Sequence, residues 1–155
     1  MRPEDFKPAL IESIAAHAVR TYPAECCGVI ISDAAGAFRY VEIDNIAGSD
    51  AAAPASARTV RDGYVMDPKA LLAALAEADR TGGALVAIVH SHPDVGAYFS
   101  SEDQRAALGG GDEPLWPGVA YAVISCRGGT VDDARLYTWD PSAREFREAP
   151  LALAR

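Results

Sequence analysis

The sequence has no apolar run near the roughly 20 residues that a membrane-spanning helix needs. Its start, Met1 to Lys7, carries acidic residues early and no apolar signal core, so we expect no secretion signal. It has only three cysteines, Cys26, Cys27 and Cys126, and no Cys-x-x-Cys pair. This argues against a disulfide framework and against a cysteine zinc site. These absences predict a cytoplasmic protein with buried, inert thiols.

Basic residues are also scarce: 14 Lys and Arg stand against 22 Asp and Glu, for a net charge of −8. A nucleic-acid partner would favour a basic stripe, so we expect no such partner. The absence of an apolar run of membrane-spanning length leads us to expect no membrane partner either. The glycine run 109–111 lacks the Gly-x-x-x-x-Gly-Lys pattern of a phosphate-binding loop.

A length of 155 residues, half of them apolar, predicts a single domain spanning residues 1–155 with an ordinary hydrophobic core. Hydrophobic periodicity predicts both helices and strands, and therefore an α/β fold. His17 falls off the apolar stripe of the first helix and is expected at the surface. Asn45 to Ala57 is predicted to be a flexible loop. The predicted helices are Pro8–Thr21, Pro68–Arg80 and Ser101–Leu108, and the predicted strands are Cys27–Ser32, Ala37–Ile43, Arg58–Met66, Ala84–Val89 running on to Pro93, Val119–Cys126, Ala134–Trp139 and Arg144–Pro150.

The most informative stretch is His90-Ser91-His92-Pro93, which follows the apolar run 84–89. That run predicts a buried strand, and Pro93 predicts its end because proline has no amide hydrogen. Alternate residues of a strand point to the same face, so His90 and His92 converge while Ser91 faces away. The spacing therefore predicts that both imidazoles can bind one ion.

A hydroxyl and a carboxylate follow at Ser100 and Asp103. Ser-x-x-Asp is typical of a helix start, with Ser100 as N-cap and Asp103 in the first turn. Such a helix would also hold Asp103 fixed, so a capping role and a ligand role are compatible. Two imidazoles and one carboxylate leave the fourth position of a tetrahedral zinc open for water, as in catalytic zinc sites.

The two histidines with their serine and aspartate, at these offsets, resemble the signature of the JAMM (MPN-plus) zinc metalloproteases. The upstream segment Pro23-Ala24-Glu25-Cys26-Cys27-Gly28 is similar to the Pro-x-Glu-x-Cys-Gly start of small bacterial members. The resemblance runs in order from about Ala9 to Asp140. It implies the JAMM fold, a single α/β domain with a mixed β-sheet flanked by helices, which is cytidine-deaminase-like. It also implies one Zn²⁺ per chain held by His90, His92 and Asp103, with Glu25 as general base and Ser100 as oxyanion donor.

These roles are chemically consistent. A carboxylate near a metal-activated water, but not on the metal, can take its proton and hand it to a leaving amine. Glu102 and Asp94 lie nearer in sequence than Glu25 and remain the alternatives for that carboxylate. Glu102 on the first helical turn is also explained by the helix dipole alone.

The resemblance implies a hydrolase of peptide or isopeptide bonds that cuts after the Gly-Gly tail of a ubiquitin-like protein. For a small bacterial-type member it implies a sulfur-carrier substrate, from which an amino acid such as cysteine is released or whose tail is trimmed. The alternative is a non-catalytic scaffold of the same fold, which would be expected to lose one or more site residues. A zinc deaminase is excluded because His-x-Glu and Pro-Cys-x-x-Cys are absent.

Overall fold

A computed structural model of the chain describes residues 1–49 and 59–153. Within them, a 3₁₀ turn at Pro3–Asp5 precedes three helices, and all three have the predicted bounds. The helices are α1 Pro8–Thr21, α2 Pro68–Arg80 and α3 Ser101–Leu108. The strands are β1 Cys27–Ser32, β2 Phe38–Ile43, β3 Leu85–Pro93, β4 Ala120–Arg127, β5 Thr130–Asp140 and β6 Glu145–Pro150.

The strands form one sheet in the order β2-β1-β3-β4-β5-β6. β3 and β4 are parallel, whereas every other neighbouring pair is antiparallel, so the predicted mixed sheet is confirmed. The parallel pair needs a long crossover, and the segment containing α3 provides it between the end of β3 and the start of β4. This crossover brings the first turn of α3 next to the end of β3.

The sheet separates two apolar layers. On one face, α1 buries Ile14 and Ala18 against strand residues that include Ile30. On the other face, α2 buries Ala74 and α3 buries Ala107. Complete burial of a side chain such as Ile14 contributes about 1.5–3 kcal/mol, so this packing fixes how each strand presents its two faces.

The predicted strand over 58–66 is wrong. Residue 58 lies outside the described residues, and of the rest only Met66 forms a β-bridge, to Asn45. Thr59 to Asp62 form a turn in which Asp62 accepts hydrogen bonds from the Thr59 amide and hydroxyl at 2.7 and 2.9 Å. The Asn45 side chain accepts a hydrogen bond from the amide of Val65 at 3.0 Å. This amide therefore bonds to a side chain rather than to a neighbouring strand. Most of the predicted loop 45–57 lies outside the described residues.

The predicted surface position of His17 is also wrong. His17 is only 8% exposed, and its Nδ1 lies 2.9 Å from the hydroxyl of Tyr40 on β2. A polar side chain can be buried when it has such a partner, and helical periodicity carries no information about a partner on another element.

All three cysteines are free thiols and buried, as predicted. Burial raises the pKa of Cys26 to about 11, which keeps that thiol protonated at neutral pH. Across the described residues, we find no helix with the length and apolar character that crossing a membrane requires.

Gly28 is required by close packing between β1 and β2. A Cβ at this position would collide with the carbonyl oxygen of Val41 and lie 2.6 Å from the ring of Tyr40. We expect Gly28→Ala to destabilise the fold by about 1–3 kcal/mol, as overpacked cores do. At roughly 2–4 °C per kcal/mol, thermal unfolding followed by circular dichroism would detect this change.

Gly111→Ala is the matched control, because a Cβ there would come no closer than 3.4 Å to another group. An unchanged Tm for Gly28→Ala would contradict the close approach of β1 and β2.

Candidate metal centre

His90 and His92 lie at the end of β3, on the face that α2 and α3 cover. Their Nε2 atoms are 3.1 Å apart. Asp103, in the first turn of α3, places Oδ1 3.5 Å from His90 Nε2 and Oδ2 3.6 Å from His92 Nε2. The structure thus brings the three predicted ligand residues together, with one candidate ligand atom from each within 4.8 Å of the others.

These separations fit one metal ion. Around a tetrahedral zinc with bonds of about 2.0–2.2 Å, ligand atoms lie about 3.3–3.6 Å apart. The separation of 3.1 Å between the two Nε2 atoms, and those of 3.5 and 3.6 Å from them to the two different oxygens of Asp103, are near this range. A shift of the carboxylate that brings one oxygen close to both imidazoles would complete the three ligands. In the absence of an ion, the 3.1 Å separation also allows one imidazole to donate a hydrogen bond to the other.

The centre is buried and carries complementary charge. His90 is 0% exposed, His92 6% and Asp103 8%. Burial opposes ionisation of Asp103, but the two imidazoles and the Ser100 hydroxyl hold the pKa of its carboxyl well below the ordinary value. Burial also opposes a charge on His92, but the carboxylates of Asp103 and Glu25 raise its pKa. An ionised carboxylate among imidazoles favours a cation, whether a proton or a metal ion.

The ring of His92 is oriented by the loop that follows β3. Its Nδ1 lies 3.1 Å from the carbonyl oxygen of Gly96, an acceptor that directs Nε2 towards the metal centre. Two side chains of the sheet hold this 94–99 loop. The Ser125 hydroxyl on β4 donates a hydrogen bond to the carbonyl of Val95 at 2.7 Å, and the Tyr137 hydroxyl on β5 donates one to the carbonyl of Ala97 at 2.8 Å. The sheet therefore fixes the loop, and the loop fixes the imidazole.

Two tyrosines that the sequence analysis missed flank the imidazoles. Tyr64 stacks on His90 with ring centroids 4.7 Å apart, and Tyr98 packs against His92 at 5.1 Å. Tyr98 is 53% exposed, whereas burial raises the pKa of Tyr64 and keeps it neutral. No local pattern identifies Tyr64, because its contact with β3 depends on the path of residues 59–65.

Ser100 and Asp103 form the predicted capping box. The Ser100 hydroxyl accepts from the Asp103 amide at 3.1 Å. Asp103 Oδ2 accepts two hydrogen bonds from Ser100, one from its amide at 2.8 Å and one from its hydroxyl at 2.6 Å. The contacts that begin α3 therefore also orient the candidate metal-ligating carboxylate.

Glu25 reaches the same site from the start of β1. Cys27 is paired with His90, and continuing that antiparallel register by two residues places Glu25 opposite His92. The Cys26 amide donates to the Ser91 hydroxyl at 2.8 Å, so Ser91 points away from the imidazoles, as predicted. Glu25 is 6% exposed and lines a cavity of about 260 Å³ with His92, Ser100 and Asp103.

The Asn45 side chain holds the backbone around Glu25. Its amide nitrogen donates to the carbonyls of Glu25 and Gly63, each at 3.0 Å. The Glu25 amide donates to the carbonyl of Val60 at 2.6 Å. The 59–62 turn is therefore attached directly to the backbone of Glu25. The sequence analysis placed Asn45 only in a loop, and no local signal indicates these contacts.

Glu102 and Asp94, the two alternatives to Glu25, have other partners. Glu102 pairs with Arg105 at 2.7 Å. Asp94 is exposed and accepts hydrogen bonds from the Tyr22 hydroxyl and the Gly128 amide, at 3.0 Å each. Glu25, unlike these two, is among the described residues that line the cavity with the candidate ligands.

The capping box makes a prediction for the metal-free protein. Ser100→Ala removes the acceptor for the Asp103 amide and the hydroxyl donor to its carboxylate. We expect a loss of about 0.5–2 kcal/mol in the free energy of unfolding, measured by urea denaturation. Ser100→Thr keeps a hydroxyl and should recover most of the loss. Equal stability of the alanine variant and the unsubstituted protein would contradict the observed cap.

Three comparisons relate the chain to known proteins. It matches the family described as prokaryotic homologs of the JAB domain over residues 7–140. No curated protein matches it significantly. Among solved structures, it is similar to a protein from Desulfitobacterium hafniense at 23% identity, with a TM-score of 0.65 over 93% of this chain and 88% of that one.

Two other solved structures are similar. A protein from Salinibacter ruber is 24% identical, with a TM-score of 0.59 over 96% of this chain and 90% of that one. A JAB1/MPN domain protein from Archaeoglobus fulgidus is 14% identical, with a TM-score of 0.51 over 94% of each chain. At these identities the structures show a shared fold, and the family match extends over most of the sequence. The chain therefore belongs to the family of prokaryotic JAB-domain proteins, and its single mixed sheet with flanking helices is the JAB/MPN fold.

Proposed function

We propose that the protein is a zinc-dependent hydrolase of peptide or isopeptide bonds. Its substrate is a ubiquitin-like protein, of the sulfur-carrier type, cut after its Gly-Gly tail. The JAB/MPN family includes metalloproteases as well as non-catalytic members. The observation that supports catalysis is Glu25, a buried carboxylate that lines the same cavity as two of the candidate metal-ligating residues. A scaffold has no need for this arrangement.

Each residue of the site has a separate role in the proposed amide hydrolysis. His90, His92 and Asp103 would hold zinc, which lowers the pKa of water towards ~7 and polarises the substrate carbonyl. Glu25 accepts a proton from the attacking water and delivers it to the leaving nitrogen. Ser100 turns its hydroxyl from Asp103 Oδ2 towards the developing oxyanion and donates a hydrogen bond to it.

The metal assignment predicts about one zinc per chain, by the ligand-count argument. We expect His92→Ala to lose most of this zinc, because only one imidazole and one carboxylate would remain. Elemental analysis of the purified protein provides the measurement.

His17→Gln is the control, since His17 lies outside the cluster and contacts Tyr40 instead. It should keep its zinc. Undiminished zinc in His92→Ala would mean that the metal is bound elsewhere.

The role of Glu25 is tested by Glu25→Gln. The amide cannot shuttle a proton, so turnover should fall by about 10²–10⁴-fold while zinc content and Tm stay near those of the unsubstituted protein. The assay follows hydrolysis of a panel of ubiquitin-like carriers that have C-terminal adducts.

Glu102→Gln is the matched control and should retain turnover, because Glu102 pairs with Arg105 outside the cavity. Loss of zinc from Glu25→Gln would identify Glu25 as a ligand rather than a base. If the zinc-loaded protein bound a carrier but cleaved no carrier of the panel, the result would support the alternative of a non-catalytic scaffold.

A further inference from the structure

Arg61 lines the cavity at the metal centre, and it is the only arginine or lysine among the described lining residues. The other charged groups that line this cavity are the carboxylates of Glu25, Asp62 and Asp103, together with the imidazole of His92. A guanidinium presents parallel N–H donors whose geometry matches a carboxylate. Arg61 is therefore a candidate for binding an anionic group of a substrate.

The position of Arg61 is set by the backbone of Glu25. Arg61 belongs to the 59–62 turn, whose Val60 carbonyl accepts from the Glu25 amide at 2.6 Å. The side-chain amide of Asn45 donates hydrogen bonds to the carbonyls of both Glu25 and Gly63. Gly63 directly follows the 59–62 turn. Arg61 and Glu25 consequently lie on the same wall of the cavity.

The guanidinium of Arg61 is accessible to a ligand. Its side chain is exposed, and within residues 1–49 and 59–153 it forms no salt bridge. Together with the Gly128 amide and the Tyr22 hydroxyl, which contribute more, its charge helps to lower the pKa of Asp94. That influence acts through space and leaves the donors of Arg61 available.

We propose that Arg61 binds the α-carboxylate of the residue released by cleavage. This inference depends on the proposed function, in which Glu25 delivers a proton to the leaving nitrogen. The wall next to Glu25 is then the side of the leaving group, and the α-carboxylate of a single residue is separated from its nitrogen by one carbon atom. Of the two sulfur-carrier reactions that the family resemblance implies, this assignment favours the release of one amino acid over the trimming of a longer tail.

The reaction is a hydrolysis and needs no further co-reactant. The water oxygen bonds to the carbonyl carbon of the last glycine, and the bond from that carbon to the leaving nitrogen breaks. Glu25 returns the proton to this nitrogen. The products are a carrier ending in a glycine carboxylate and one free amino acid.

The first test compares carriers that end in Gly-Gly-Ala with the same carriers ending in Gly-Gly-Ala-Ala-Ala-Ala. In the second set, three residues separate the carboxylate from the scissile bond. We expect kcat/KM to be about 10- to 100-fold higher for the single alanine, the range of one hydrogen-bonded charge pair. Arg61→Ala should remove this preference, mainly through KM, and Arg61→Lys should restore part of it.

Arg80→Ala is the control, because Arg80 is an exposed arginine in the last turn of α2, before β3 begins. It should leave the preference unchanged. The Tm and zinc content of Arg61→Ala should match those of the unsubstituted protein, which separates a specificity role from loss of the fold.

The second test measures binding without turnover. The zinc-loaded Glu25→Gln variant is titrated with the peptides Gly-Gly-Ala and Gly-Gly-Ala-amide in a calorimeter. We expect the acid to bind about 10-fold or more tightly than the amide, and Arg61→Ala in the same background to bind both equally.

The two hypotheses fail in different ways. Cleavage of both alanine substrates at similar rates, unaffected by Arg61→Ala, would overturn the role of Arg61 and leave the hydrolase intact. Cleavage of neither substrate would contradict the proposed function, and the peptide titration would still test Arg61. Equal binding of acid and amide, or no binding of either, would overturn the carboxylate site.

Discussion

The pairing of β1 and β4 with β3 is the constraint on which the metal centre depends. Because side chains alternate along a strand, the register of β3 decides that His90 and His92 face α2 and α3 while Ser91 faces α1. A slip of one residue would turn both imidazoles into the opposite layer. The same register aligns the start of β1 with the end of β3, where Glu25 lies opposite His92. Sheet formation thus positions the two candidate ligands and Glu25 together.

The position of the third candidate ligand has a different origin. Asp103 is part of the capping box of α3 and is also the carboxylate of the candidate metal-binding group. Both roles need an ionised side chain held in one orientation, so they support each other. The arrangement concentrates charge in a buried place, and the imidazoles and the Ser100 donors offset the cost of burying the carboxylate.

Local patterns predicted the features that arise from neighbouring residues. These include the bounds of α3, the alternation at His90 and His92, and the cap at Ser100. Glu25 was found only through its resemblance to a known motif, because nothing in its immediate sequence distinguishes it from a solvated glutamate. Residues 59–65 were mispredicted as a strand because their hydrogen bonds go to Asn45 and Glu25 rather than to a sheet. Arg61 and Tyr64 were missed for the same reason, because their positions depend on contacts of this segment with Glu25 and His90.

Asn45 has a consequence for the order in which the molecule forms. Its side chain binds backbone groups 18 to 20 residues away, whereas Ser100 and Asp103 are three residues apart. Local contacts form early in folding, and contacts that close long loops form only after their entropic cost has been offset elsewhere. The capped helix can therefore form before Asn45 fixes the wall that carries Glu25. The cap can thus orient Asp103 early, whereas His90 and His92 are placed only when β3 has paired with β1, a contact between residues as far apart in sequence as Cys27 and His90.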